Sequence, residues 1–213
     1  NHDIYYKNTN DVNSLKELIG DKSNKFHLYE DATEVNIGGL DILFLPWINP
    51  QNYIYSMGMI DETKARIAMG HLEIKGFQMH KGQVNENGYE KEIFRKFDSV
   101  FSGHFHKKND DGQIYYLGAP YEIYWNDFND TKGFHIFDTE TLELERIVNP
   151  LRIYEKIYYD DADKSYANED VSKYAKKFVK LIVINKKDLY QYDRFVDRLM
   201  KANAYEVKII EDF

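Results

Sequence analysis

Two short apolar segments around residue 40 predict the first strands of a sheet. Residues 33–37 alternate between polar and apolar side chains, residues 40–45 are mostly apolar, and Gly38-Gly39 separates them. Paired glycines between such segments are typical of a β-hairpin. Pro46 ends the second strand, and residues 52–64 contain residue types that are compatible with a helix.

Two further apolar segments each run into a Gly-His pair. Residues 65–69 are followed by Gly70-His71 and residues 99–102 by Gly103-His104, with a helix predicted between them over residues 90–97. In open α/β sheets, ligands gather beyond the carboxyl ends of the strands. The pattern therefore predicts a functional loop at each of the two histidines.

Three more strands are predicted before the composition changes at Pro150. They cover residues 114–117, 133–137 and 144–148, and the last two form a hairpin through residues 138–141. Strands and helices are mixed along the chain, so the order of elements predicts an α/β fold.

The C-terminal part predicts a β-α-β unit. A polar segment at 160–170 precedes the apolar run 178–184, and residues 205–210 alternate as a further strand. Asp188 can cap a helix between the two strands. The apolar face of that helix is predicted to contain Leu189, Tyr192, Phe195, Val196, Leu199 and Met200.

Composition agrees with a globular protein of one main domain and one smaller domain, predicted at 1–150 and 151–213. Of the 213 residues, 43% are hydrophobic and 30% are charged. No apolar run reaches the ~18 residues that cross a bilayer, so we expect a soluble, cytoplasmic protein without membrane contact. Cysteine is absent, so any metal must be held by His, Asn, Asp or Glu side chains.

The formal net charge of −8 is unevenly distributed along the chain. Residues 1–150 carry 15 basic and 24 acidic residues, whereas residues 151–213 carry 13 and 12. A negative total therefore does not exclude nucleic acid as a partner, because charge can be concentrated locally.

The sequence Ser-Gly-His-Phe-His carries the strongest chemical signal. His104 and His106 lie two residues apart, which in an extended segment places both imidazoles on one side of the backbone. Gly103 lets the backbone bend close to a ligand, and Phe105 can anchor the loop in the core. This arrangement predicts a metal site with His71 as a further ligand, and strand-edge histidines without a ligand are the alternative.

The chain opens with three polar residues of chemical interest. Asn1, His2 and Asp3 offer an amide oxygen, an imidazole and a carboxylate, all useful near a phosphate and a metal. The other histidines have no such neighbours, and we interpret them as surface or packing residues: His27, His80 and His135.

These motifs together resemble a known family. Asn-His-Asp, Gly-His and Gly-His-X-His, in this order, resemble the second half of the calcineurin-like metallophosphoesterase signature. The segments SGHFHKKND, YYLGAPYEIYWNDFND and KGFHIFDTET are similar to the SbcD-type DNA repair nucleases, especially those of large tailed phages. The resemblance implies a β-sandwich flanked by helices, over residues 1–150, with a small α+β capping domain over residues 151–213.

The resemblance also implies functional roles for particular residues. Asn1, His71 and His104 would bind one metal ion and His106 the other, while His2 would protonate the leaving oxygen. The expected metal is manganese, with magnesium as a possible substitute. The implied partners are DNA and an SMC-like coiled-coil ATPase subunit.

The sequence departs from the family because the Asp-X-His and Gly-Asp motifs are absent. They would precede Asn1, and they normally supply most ligands of one metal and a bridging carboxylate. We therefore expect the 213-residue chain alone to bind manganese weakly, to lack nuclease activity and to self-associate, for example as a homodimer.

Aromatic and basic side chains after the His-X-His motif are candidate substrate contacts. Tyr124 and Trp125 can stack on bases, and Lys107 and Lys108 can meet phosphates. Core packing of the aromatic residues and simple solvation of the lysines are the alternatives.

Three functional hypotheses remain open from the sequence. The first is a manganese-dependent DNA exo/endonuclease subunit of recombination and repair, inactive as this fragment. The second is another metallophosphoesterase, such as a nucleotide phosphodiesterase or a protein phosphatase. The third is a remnant without catalytic activity that binds DNA or a partner.

Overall fold

The computed structural model describes residues 3–19, 25–80 and 82–211. Its α-helices are α1 (Ser14–Leu18), α2 (Tyr53–Glu62) and α3 (Leu189–Met200). Short 3-10 helices cover Lys91–Phe94, Trp125–Asp127 and Ser172–Tyr174. Its strands are β1 (Thr33–Ile37), β2 (Leu40–Leu45), β3 (Ile67–Gly70), β4 (Gln78–His80), β5 (Gln83–Val84), β6 (Ser99–Ser102), β7 (Asn109–Asp110), β8 (Ile114–Tyr116), β9 (Gly133–Phe137), β10 (Leu144–Val148), β11 (Tyr154–Asp160), β12 (Phe178–Asn185) and β13 (Glu206–Glu211).

The chain forms two compact units. Unit 1 comprises Asn1–Pro120 and Thr131–Asn149, and unit 2 comprises Tyr121–Asp130 and Pro150–Phe213. The segment 121–130, within the range predicted for the first domain, thus lies in unit 2. Its Glu122 is buried and accepts hydrogen bonds from the backbone amides of Ile153 at 2.7 Å and Tyr154 at 3.0 Å.

Unit 1 is built on a mixed sheet, which confirms the predicted α/β class. Within the described residues the strand order is β1-β2-β3-β6-β8-β7. The four central strands are parallel to their neighbours, and the two outer strands are antiparallel. The predicted β1–β2 hairpin forms with the expected bounds.

Both faces of this sheet are buried, because its central strands are apolar at consecutive positions. In β2, Leu43 and Leu45 face the larger core, whereas Ile42 faces a smaller cluster on the opposite side. The β9–β10 hairpin packs on that second side through Phe137 and Leu144.

The helix predicted over residues 90–97 is shorter in the structure. It is a 3-10 helix over Lys91–Phe94, in which an amide donates to the carbonyl oxygen three residues earlier, as from Arg95 N to Glu92 O at 3.3 Å. Phe94, the last residue of this helix, and Phe97, three residues later, are both buried in the core.

Unit 2 contains the parallel sheet β11-β12-β13, and α3 supplies buried residues to its core. Asp188 caps α3 as predicted, since its side chain accepts a hydrogen bond from Gln191 N. The apolar face predicted for α3 is wider than the face that is buried. Tyr192, Phe195 and Leu199 are buried in the core, whereas Leu189 and Met200 are more than half exposed.

Among the helices of the described ranges, none combines the length and apolar character that crossing a membrane requires.

Candidate metal site

Three parallel strands end level with one another at one edge of the unit 1 sheet. Leu45 of β2 pairs with Gly70 of β3, and Gly70 pairs with Ser102 of β6. The residues that follow these strand ends must therefore emerge side by side. They are Pro46-Trp47, His71 and Gly103-His104.

The structure brings His71 and His104 together at this edge. Their ring centroids lie 5.2 Å apart with the ring planes at 73°. The indole of Trp47 lies beside both imidazoles, 6.1 Å from His71 and 5.2 Å from His104. Two histidines that are 33 positions apart in the sequence thus share one small aromatic enclosure.

Gly103 is needed for this close approach. Its amide donates a hydrogen bond to Gly70 O at 3.1 Å, which holds the two strand ends together. A Cβ atom on Gly103 would lie only 2.9 Å from Nδ1 of His71. A larger residue at this position would therefore push against the His71 ring.

The loop after β6 is bent, so the prediction that His104 and His106 lie on an extended segment is wrong. His104 has φ +75°, in the left-handed region that residues with a Cβ rarely adopt. Such strained residues occur where the surrounding structure fixes them, often at functional sites. Phe105 is buried as expected, with its ring 4.5 Å from that of Tyr116.

Two buried hydroxyl groups fix the backbone that follows His71. The amide of Leu72 donates to Ser102 Oγ at 3.0 Å. The hydroxyl of Tyr116 accepts a hydrogen bond from Ile74 N at 2.8 Å and donates one to Leu72 O at 2.9 Å. Burial raises the pKa of Tyr116, so this phenol stays protonated and keeps its donor.

Removing the Tyr116 hydroxyl should destabilise this loop. In Tyr116→Phe, the buried Ile74 amide and Leu72 carbonyl both lose a partner, so we expect the free energy of unfolding to fall by about 1–3 kcal/mol. Tyr115→Phe is the matched control, because that hydroxyl donates to Gly112 O at an exposed site. Denaturant titration of both variants measures the difference, and equal losses would contradict the anchoring role.

The backbone at His106 is held by a buried lysine. The carbonyl oxygen of His106 accepts hydrogen bonds from Lys132 Nζ at 2.9 Å and from Ala119 N at 3.0 Å. Lys132 is only 1% exposed, so its ammonium group satisfies its hydrogen bonding inside the protein. This contact fixes the end of the His-X-His motif.

The paired imidazoles fit a divalent metal. Imidazole nitrogen binds such ions at about 2.1 Å, so two rings on one ion have centroids about 5 Å apart. The observed 5.2 Å agrees with this spacing. Within the described ranges, no group of three or more His, Asp or Glu side chains is placed to hold a metal ion, so this pair needs further ligands.

The chain is 33% identical to a phage exonuclease subunit. The relative is exonuclease subunit 1 of Enterobacteria phage T4, and the similarity extends over 159 residues. These residues make up 75% of the chain and 46% of the relative, so the chain spans about half the length of the curated protein that it matches. No family model matches the chain.

Two of the predicted site residues lie outside the described part of the chain. These are Asn1, the predicted metal ligand, and His2, the predicted proton donor. Asp3, the supporting carboxylate, is described, and its carbonyl oxygen accepts a hydrogen bond from Ser14 N at 2.8 Å.

The predicted lysine contacts are engaged with neighbouring side chains. Lys107 Nζ donates to Gln78 Oε1 at 2.7 Å, and Lys108 forms an ion pair with Asp110 at 2.6 Å. A phosphate would have to compete with these partners.

The predicted aromatic contacts belong to unit 2. Tyr124 is 47% exposed. Trp125 packs on Tyr154 with a centroid distance of 4.7 Å, and Lys180 Nζ lies 4.1 Å from the centre of the indole ring. Packing within unit 2 therefore accounts for much of the Trp125 surface.

Trp47 is the site residue that sequence reasoning missed. Pro46 was recognised only as the end of β2, and the local sequence gives no sign that β2 runs parallel to β3. The available signal was that a third apolar strand, β2, ends two residues before an aromatic residue. Combined with the two Gly-His strand ends, it places Trp47 at the same sheet edge.

Proposed function

We propose that the chain is part of a metal-dependent nuclease subunit that hydrolyses phosphodiester bonds in DNA during recombination and repair. The convergence of His71 and His104 at the carboxyl edge of parallel strands is the observation that carries this proposal. The T4 relative supports it, since that protein is by its name an exonuclease subunit. The motif order supports the narrower assignment to metallophosphoesterases of the SbcD type.

The proposed metal ligands are Asn1, His71 and His104 for one ion and His106 for the other. Oxygen and nitrogen donors of this kind suit manganese. Bound divalent ions would polarise the phosphodiester and offset the charge that develops on it. Trp47 covers one side of the imidazole pair, and Tyr116 and Ser102 hold the backbone after His71 in position.

His2 is proposed to donate a proton to the leaving oxygen. Lys107, Tyr124 and Trp125 are proposed to contact the DNA, by charge and by stacking respectively. The proposed protein partners are an SMC-like coiled-coil ATPase subunit and a second copy of the same chain.

The proposal is tested on the complete gene product that carries this sequence. It should cleave DNA in the presence of manganese, and chelation of the metal should abolish cleavage. Hydrolysis of a small phosphodiester but not of DNA would favour another kind of phosphodiesterase. A product that binds DNA but hydrolyses neither substrate would point to a binding protein without catalytic activity.

The role of His2 makes a separate prediction. His2→Ala should lower kcat for DNA cleavage by about a hundredfold while leaving the Kd for DNA nearly unchanged, because a general acid acts only in the transition state. Single-turnover cleavage and equilibrium binding measure the two quantities. Equal losses of rate and affinity would exclude the proton-donor role.

A further inference from the structure

Three lysines form a straight row across the sheet of unit 2. Lys156 of β11 pairs in register with Lys180 of β12, and Lys180 pairs with Lys208 of β13. Neighbouring strands lie about 4.8 Å apart, so the row extends over about 10 Å. Residues in register on adjacent parallel strands share one face of the sheet, and the three ammonium groups therefore project on the same side.

This side is the face of the sheet opposite the core of unit 2. Successive residues of a strand point to opposite faces, and Ile157, Val179 and Leu181, which are neighbours of the row, are buried in that core. We call the opposite side the lysine face. It carries the lysine row and also Tyr158, which lies two residues after Lys156 on β11 and is 55% exposed.

The lysine row forms no ion pair within the described part of the chain, although the negative charge of Glu206, two residues before Lys208 on β13, acts on Lys180. None of the three ammonium groups lies within 4.0 Å of a described carboxylate, whereas Lys164, Lys173 and Lys177 of the same unit all form ion pairs. Like charges directly opposite one another on neighbouring strands destabilise a sheet. The row therefore has an energetic cost that the described contacts do not remove by charge pairing.

Aromatic rings support part of the row without neutralising it. Lys156 Nζ lies 4.7 Å from the centre of the Phe128 ring, and Lys180 Nζ lies 4.1 Å from that of Trp125. The pKa of Lys180 is lowered first by desolvation and then by the charges of Lys156 and Lys208. Lys208 has no such ring beneath it in the described structure, so the full row is not explained by cation–π contacts.

We propose that the lysine face, which belongs to unit 2, is a binding surface for single-stranded DNA. The lysine row would hold backbone phosphates, and the exposed ring of Tyr158 would stack on a base. A line of positive charge beside an accessible aromatic ring is the combination that binds single strands without sequence preference. The choice of DNA as the polyanion rests on the proposed function, whereas the surface itself is defined by unit 2 alone.

The test compares two triple variants of the full chain. K156Q/K180Q/K208Q removes the row, and K164Q/K173Q/K201Q removes the same charge from lysines that pair with Glu169 or Asp197 in the same unit. Binding to a labelled oligonucleotide is followed by fluorescence anisotropy over a range of salt concentrations, with chelator present so that cleavage cannot interfere. Melting curves confirm that each variant folds.

Loss of the row should weaken single-strand binding and make its salt dependence shallower. The slope of log Kd against log salt should fall by about 0.7 per lysine, or about 2 for the three. The control variant should retain the slope of the original chain. Lys208→Glu alone should also weaken binding, and because this side chain is exposed, the result does not depend on the folding of the triple variant.

The stacking contact is tested by Tyr158→Ala against Tyr190→Ala, which removes a tyrosine on α3 that is also more than half exposed, at 71%. We expect at least about a fivefold loss of single-strand affinity for the first variant and none for the second. Equal single-strand affinity of the row and control variants would overturn the inference. A Tyr158→Ala variant that binds single strands as well as the original chain, together with equal affinity of the original chain for duplex and single strands, would also overturn it. A complete gene product that binds single strands through the row but does not cleave DNA with manganese would overturn the proposed function and leave this inference standing.

Discussion

Replacing His104 by alanine should reduce manganese-dependent DNA cleavage by the complete gene product by about a hundredfold or more. His71 and His104 are the two imidazoles that the sheet edge brings within 5.2 Å, and each would donate one nitrogen to the same ion. Loss of residues that only support a ligand typically costs about 10–100-fold in metal affinity or activity. Loss of the ligand itself should cost at least as much, and His71→Ala should behave in the same way.

Calorimetric titration with manganese and a cleavage assay together measure this effect. His80→Ala is the matched control, because His80 lies on β4 and is half-buried outside the aromatic enclosure. It should leave both metal affinity and cleavage close to those of the original protein. A His104→Ala variant that retains full manganese affinity would show that the imidazole pair is not the metal site.

The two histidines could be predicted because both signals are local. An apolar strand that ends in Gly-His is visible in the sequence at Gly70-His71 and again at Gly103-His104. The rule that ligands gather at the carboxyl edge then brings the two together without any structure. What the local sequence does not contain is the pairing of β3 with β6, which makes their strand ends neighbours.

Features that depend on tertiary packing were predicted less well. The bend at His104 was not foreseen, because an alternating pattern alone suggests an extended strand. Strand β11 was also missed, since its sequence of tyrosines and charged residues has no simple alternation, and the parallel partner β12 supplies its hydrogen bonds. Leu189 and Met200 fit the helical period of α3 but lie beyond the edge of the small core.

The sequence predicts the net charge of residues 151–213, but it does not predict where the charged side chains lie on the folded surface. The sequence shows that residues 151–213 carry nearly balanced charge. It does not show that Lys156, Lys180 and Lys208 fall in one register, because register between parallel strands is set by the packing of the opposite face.

Adding a single methyl group at Gly103 should impair the proposed metal site, although Gly103 is not one of the proposed ligands. Gly103 does not have a left-handed φ, so an alanine meets no backbone strain there, and its effect comes from space alone. The new Cβ would lie 2.9 Å from Nδ1 of His71, which is shorter than real Cβ contacts allow. The His71 ring must therefore move.

The direction of that movement is restricted by the neighbouring rings. Trp47 and His104 lie at 6.1 Å and 5.2 Å from the His71 ring, so it cannot move far within the enclosure without losing its relation to His104. A misplacement of about 1 Å can cost about a hundredfold in rate. We expect Gly103→Ala to lower manganese affinity and cleavage by about tenfold to a hundredfold.

Gly58→Ala provides the matched control for this substitution. Gly58 lies within α2, where a Cβ has nothing within 4 Å, so alanine should raise the free energy of unfolding by about 0.5–1 kcal/mol and leave cleavage unchanged. Melting curves, manganese titration and cleavage assays on both variants separate a local displacement from general unfolding. If Gly103→Ala folds, binds manganese and cleaves DNA as well as Gly58→Ala does, then the position of the His71 ring does not control the site. Loss of metal affinity in Gly103→Ala with an unchanged melting temperature would instead show that His71 and His104 can bind one ion only because residue 103 has no side chain.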